Sequence, residues 1–109
     1  MEGFVRGNVV VIPFPFSDLT QAKRRPALVL SVLPGNDLIL CQITSQNVRD
    51  MYAVTLLTED FETGSLNRIS NVRPNRLFTA DSNIVLYKVG KLKKIKMDEV
   101  LKIVISLFH

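Results

Sequence analysis

Apolar and polar positions alternate in short blocks along the chain, and each block is the length of a strand. Residues 8–13, NVVVIP, are a continuous apolar run closed by Pro13 and Pro15, the pattern of a buried strand. Residues 14–24 read as a loop carrying Asp18 and Thr20, flanked by Phe14 and Phe16. Residues 26–33 (PALVLSVL) and 37–44 (DLILCQIT) form two strands around Pro34, Gly35 and Asn36, a strong turn signal. Both are apolar at nearly every position, so both faces are expected to be covered, with a subunit interface as a candidate for the second. YAVTLL at 52–57 gives a further strand, and the acidic stretch TEDFETGS a turn or short helical loop. Residues 70–78 (SNVRPNRLF) read as extended, with Pro74 confining them to an edge or a bulge. NIVLYKVGKL gives one more strand. Val100, Ile103, Val104, Leu107 and Phe108 then follow the spacing of one helix face, with Asp98 and Glu99 where a helix N-terminus favours negative charge. The pattern predicts one domain spanning 1–109, mostly β with a C-terminal α-helix: a small, mostly antiparallel barrel.

Composition narrows the chemistry. With 109 residues and 47% hydrophobic content, the chain can bury one core without disulfides or metal. No apolar run reaches the roughly 18 residues a membrane helix requires, and the N-terminal run lacks a signal-peptide cleavage site. A lone cysteine, Cys41, excludes an intrachain disulfide and suits the cytoplasm. The net charge of +4 leans toward anionic partners. The single histidine is the last residue, His109, where chain ends fray, so histidine catalysis and histidine-ligated metal are not expected. The carboxylates Glu59, Asp60 and Glu62 have no second acidic cluster, and no metal or cofactor is expected.

The remaining chemistry rests with arginines and hydroxyls. Lys23, Arg24 and Arg25 stand before Pro26 at the mouth of a strand. If the turn is centred between Gly35 and Asn36, cross-strand partners have numbers summing to 71, so Arg25 faces Gln46 and Ala27 faces Thr44. Arg25 and Thr44 then become diagonal neighbours on one sheet face, roughly 7 Å apart. A guanidinium offers phosphate a rigid fork, and a hydroxyl adds a donor. The same spacing also suits Arg25 pairing with a surface carboxylate while Thr44 merely fits a strand end. The basic run Lys88, Lys91, Lys93, Lys94 and Lys96 reads as a solvated face or, alternatively, an RNA track. Phe14 and Phe16 suit core packing or stacking on a base.

A family resemblance joins these motifs. GNVVVIPFPFSDLTQAKRRPALVLS resembles the opening of the MazF/PemK toxins: Gly7, Arg25, Pro26, Ala27, Val29 and Ser31 match their signature. Thr44, Ser45 and Gln46 match the family's hydroxyl-rich strand end, and the likeness continues through VRPNRLFTAD and the terminal helix. The resemblance implies an SH3-like barrel that dimerises and cuts single-stranded RNA without metal, the ribose 2′-OH attacking the adjacent phosphate. It implies Arg25 as the essential arginine and Thr44 as the essential threonine, with Arg24, Ser45, Gln46, Arg73 and Asn75 contacting RNA. It also implies a cognate antitoxin and, jointly with it, DNA binding. Two positions depart from the pattern. The family's Gly-Asp is here Gly7-Asn8, and its Arg-x-Asp arrangement is Arg73-Pro74-Asn75, where Asn75 cannot serve as a base. Those departures also fit a non-catalytic barrel that binds RNA or antitoxin. A gyrase poison of the CcdB type shares the barrel but leaves Arg25 and Thr44 without a purpose.

Overall fold

The computed structural model describes residues 3–14 and 23–108. Phe16, Asp18, Thr20 and His109 lie outside the described residues. Seven strands follow in chain order: β1 (Asn8–Phe14), β2 (Lys23–Val32), β3 (Asp37–Thr44), β4 (Val54–Leu56), β5 (Phe61–Gly64), β6 (Ser70–Asp81) and β7 (Tyr87–Leu92). The helix α1 (Lys94–Ser106) closes the chain. The strands form one sheet in the order β4-β6-β3-β2-β1-β7-β5, and every pairing is antiparallel. The sheet curls into a half-barrel with the helix against it. This is the mostly β architecture that the hydrophobic blocks predict.

The alternation of side chains across each strand gives the sheet two apolar faces. One face holds Val9, Leu28, Cys41, Ile43 and Val72, packed with Met97 and Val100 of α1. The other holds Val10, Ile12, Ala27, Val29, Leu38 and Leu40, covered by Phe4, Phe14, Phe78, Ala80 and Val85. The doubly apolar strands are therefore buried on both faces within one chain, and their pattern does not require a second subunit. Phe14 packs edge-on against Phe78, with ring centroids 4.8 Å apart, as the core-packing reading expects.

Bulges set the register. Near the turn Val32 pairs with Leu38, but Leu30 is an extra residue in β2, and beyond it Val29 pairs with Leu40 and Ala27 with Gln42. Partner numbers sum to 70 near the turn and 69 beyond the bulge, not 71, so the turn and the bulge each shift the expected register by one residue, two in all. A slip of two keeps every side chain on its face. A larger excursion interrupts β6: Leu77 pairs with Cys41 and Arg73 with Gln42, so Pro74, Asn75 and Arg76 loop out between them. Pro74 thus sits in a bulge, and because β4 pairs only with Ser70–Val72, this stretch of β6 is also paired on one side alone.

Three local expectations change. The acidic stretch starts as a 3₁₀ turn (Thr58–Asp60) but continues as β5. There Gly64 has φ +69°, and a Cβ on it would lie 2.1 Å from the Val89 carbonyl oxygen of β7, so only glycine fits. Residues Ser82–Ile84 form a 3₁₀ turn before β7, capped where the Asp81 side chain accepts the Asn83 N–H. The helix begins at Lys94, so Asp98 and Glu99 lie in its second turn and not at its N-terminus. They pair there with Lys94 (3.2 Å) and Lys96 (3.0 Å). The buried stripe starts at Met97, and Phe108, expected on it, is exposed.

Candidate functional site

Pro26 has no N–H to give a ladder, and the β2–β3 pairing stops at Ala27. Arg25 and Thr44 both lie just beyond the end of that pairing and line the same pocket. On the other flank of β3, Arg73 of β6 pairs with Gln42. The two arginines therefore bracket β3 at its C-terminal end. A pocket of about 240 Å³ opens between them, lined by Arg25, Gln42, Thr44, Gln46 and Arg73. Every one of these side chains is polar, and two are permanent cations, so the pocket is built for an anion.

Thr44 is held ready to donate. Its Oγ1 accepts the Gln46 backbone N–H at 3.2 Å, which leaves the hydroxyl proton for a ligand. Asn71 of β6 steadies the same loop by donating through Nδ2 to the Gln46 carbonyl, 3.2 Å. Arg73 donates from Nη2 to Asp50 Oδ2 at 3.0 Å, and Asp50 Oδ1 accepts the backbone N–H groups of Tyr52 and Ala53, each at 3.0 Å. The Arg73 hydrogen bond, aided by those two backbone donors, holds the Asp50 carboxyl below its usual range despite some desolvation. Arg73 Nε is buried with no hydrogen-bond partner among the described residues, a donor that a ligand or an ordered water would satisfy.

Two further grooves adjoin this pocket at Thr44. One, of about 420 Å³, is lined by apolar Val11, Pro26, Ile43 and Leu66 together with Arg24, Arg25, Ser45, Arg68 and the half-exposed ring of Tyr87. The other, of about 230 Å³, runs along residues 46–50 to Arg73. Of the residues singled out from sequence, Arg24, Arg25, Thr44, Ser45, Gln46 and Arg73 line one or more of these grooves. Asn75 lines none of them and is exposed in the β6 bulge. Position 8 is structural: Asn8 is buried and its Oδ1 accepts the Val5 N–H at 2.8 Å. Asn8 lies four residues along β1 from Ile12, the partner of Arg25, or about 13 Å at strand rise.

Gln42, Asp50 and Tyr87 were not singled out from sequence. Gln42 had a signal, since it is a polar residue within the apolar run 38–43 and stands two positions before Thr44. Asp50 and Tyr87 had none, because the fold alone brings them in. The lysine run is largely partnered, and the Lys96 side chain is mostly covered. Lys91 pairs with Glu62 (3.9 Å), Lys94 with Asp98, Lys96 with Asp60 (3.7 Å) and Glu99, and Lys88 lies 5.6 Å from the Phe4 ring centroid. The same contacts occupy Asp60 and Glu62. Among the described residues no three His, Cys, Asp or Glu side chains cluster to hold a metal, and no helix is long and apolar enough to cross a membrane.

Residues 5–108 match the sequence model of a family described as the PemK-like, MazF-like toxin of type II toxin–antitoxin systems. Among solved structures the chain is similar to MazF (form I) from Deinococcus radiodurans: TM-score 0.77, 23% identity, covering 99% of this chain and 98% of that one. It is also similar to an endoribonuclease in complex with its cognate antitoxin from a mycobacterial species: TM-score 0.75, 13% identity, 97% and 95% covered. The MazE–MazF complex (form III) from D. radiodurans aligns with TM-score 0.74 and 22% identity, covering 94% of each chain. Comparison with curated protein sequences gives no significant match.

Proposed function

The chain belongs to the PemK-like, MazF-like toxins of type II toxin–antitoxin systems, and from that premise we propose that it is an endoribonuclease that cuts single-stranded RNA at short motifs. The observation that carries this reading is the pocket in which Arg25 and Arg73 flank Gln42 and Thr44. The scissile phosphate sits between the guanidiniums. The ribose 2′-OH attacks the phosphorus, the P–O5′ bond breaks, and the products are a 2′,3′-cyclic phosphate and a 5′-hydroxyl. Negative charge grows on the non-bridging oxygens as the phosphorane forms. Donors placed before the reaction stabilise that charge more than they stabilise the ground state. Arg25 takes this role, Thr44 donates its free hydroxyl proton to a phosphate oxygen, and Arg73 neutralises the opposite side. A guanidinium stays protonated at neutral pH, so its contribution is charge stabilisation and not proton abstraction.

The larger groove suits a nucleobase. Its apolar floor and the Tyr87 ring offer a stacking surface, and Arg24, Arg68 and Ser45 offer polar contacts beside it. Family membership supports a cognate antitoxin, a homodimer and action in the cytoplasm. The exposed apolar residues Ile95 and Ile105 on α1 suit burial against another chain. The reading is tested by expressing the intact gene in cells and mapping transcripts. Growth arrest with transcripts cut at recurrent motifs, both lost with Arg25→Ala, is the expected result. Arrest with intact transcripts would overturn it and favour a protein target. Neither arrest nor cutting would favour a barrel that only binds.

A further inference from the structure

Among the described residues, Asp50 is the one carboxylate lining the three grooves that meet at Thr44. Both of its oxygens are engaged. Oδ1 is fixed by the Tyr52 and Ala53 backbone N–H groups, and Oδ2 takes Arg73 Nη2 at 3.0 Å. Arg73 is the last paired residue of β6 before the ladder breaks into the Pro74–Arg76 excursion. Sheet pairing on one side only leaves the guanidinium's direction to its side-chain partner. That partner comes from 23 positions back in the chain, whereas Asn75, two residues on, stands in the bulge outside the grooves.

We propose that Asp50 is a positioning residue, which holds the Arg73 guanidinium at the phosphate pocket by anchoring it to the 45–53 loop. The inference rests on the endoribonuclease reading and deepens it. The carboxylate is itself immobilised by two backbone donors, so it fixes the arginine instead of following it. One guanidinium nitrogen is committed to Asp50, and the other N–H groups stay oriented toward a single ligand position. A guanidinium swinging freely would have to be ordered in each turnover, and that loss appears in the rate more than in substrate affinity.

The test is a double-mutant cycle on cleavage of a defined RNA. Asp50→Asn keeps an oxygen for the Tyr52 and Ala53 N–H groups and so preserves the loop turn, while removing the charge that holds Arg73. The expected result is a fall in kcat of about tenfold with KM changed less than about threefold. Arg73→Ala should lose at least as much, and the double variant no more than Arg73→Ala alone. Penalties that multiply would mean that Asp50 acts without Arg73 and would overturn the inference. Asp50→Asn cutting as well as, or faster than, wild type would overturn it too, because Asp50 would then compete with phosphate for the arginine. If Asp50→Asn does not fold, Asp50→Glu, with its charge displaced by one methylene, is read through the same cycle. Wild-type protein that cuts no RNA would sink this inference together with the functional reading. An active wild type with multiplying penalties would sink this inference alone.

Discussion

Replacing Arg25 with alanine should change how strongly salt weakens binding of a single strand, by an amount the structure sets. The three grooves meeting at Thr44 are lined by five guanidiniums, Arg24, Arg25, Arg49, Arg68 and Arg73. Asp50 offsets one of them through Arg73. Single strands lose about 0.7 in the slope of log affinity against log salt per neutralised phosphate, so four net cations give a slope of about −2.8. Raising salt from ~50 to ~200 mM should then weaken binding about 50-fold. Arg25→Ala removes one contact, leaving a slope of about −2.1 and a loss of about 18-fold over the same range. The assay is fluorescence anisotropy with a fully deoxy oligonucleotide, which lacks the attacking 2′-hydroxyl and cannot be cut. An unchanged slope in Arg25→Ala, despite an intact fold, would refute the placement of a phosphate on this arginine.

Other consequences are nearer to stability. A Cβ on Gly90 would lie 2.3 Å from the Thr63 carbonyl oxygen, so Gly90→Ala should destabilise the fold by about 2–3 kcal/mol, read as a lower urea midpoint. Asp50 has a lowered folded-state pKa, chiefly because Arg73 donates to it, with the Tyr52 and Ala53 N–H groups adding to the effect. Its stabilising contribution is therefore complete above the ordinary carboxylate pKa of about 4 and is lost as pH falls through the lower folded value. The stability gap between wild type and Asp50→Asn, followed by denaturant titration, should be constant near neutrality and close in acid. A gap that widened in acid would contradict the pairing with Arg73. Burial pushes the Cys41 thiol up to about 12, so an alkylating reagent at pH 8 should label it only after denaturation, as mass spectrometry would show.

The strands were legible because their apolar blocks are closed by turn residues, and β3 runs from Asp37 to Thr44 as expected. The register was harder to read. A bulge at Leu30 leaves no mark in a run of Val, Leu and Ser, and it shifts every partner beyond it. The net slip of two residues preserves the face, and Arg25 and Thr44 line one pocket. The helix start was misplaced because charge at Asp98 and Glu99 looked like N-terminal compensation, whereas those groups pair with Lys94 and Lys96. At the site, Arg25, Thr44 and Arg73 could be found in short motifs. Asp50 reaches Arg73 only through a loop fixed by its own backbone bonds, and local sequence carries no trace of that. Asn8 and Asn75 stand where the family pattern has acids; the fold buries Asn8 at the start of β1 and puts Asn75 in a bulge outside the grooves.

Cutting of RNA by Arg25 and its neighbours, with the substrate's own 2′-hydroxyl as nucleophile, is tested most directly by incubating purified protein with a long unstructured RNA in excess EDTA, with Arg25→Ala alongside, and mapping the product ends. The expected result is cutting at a few sites by the wild type alone, leaving 2′,3′-cyclic phosphates and 5′-hydroxyls. Intact RNA from folded, antitoxin-free protein, or equal cutting by Arg25→Ala, would contradict it.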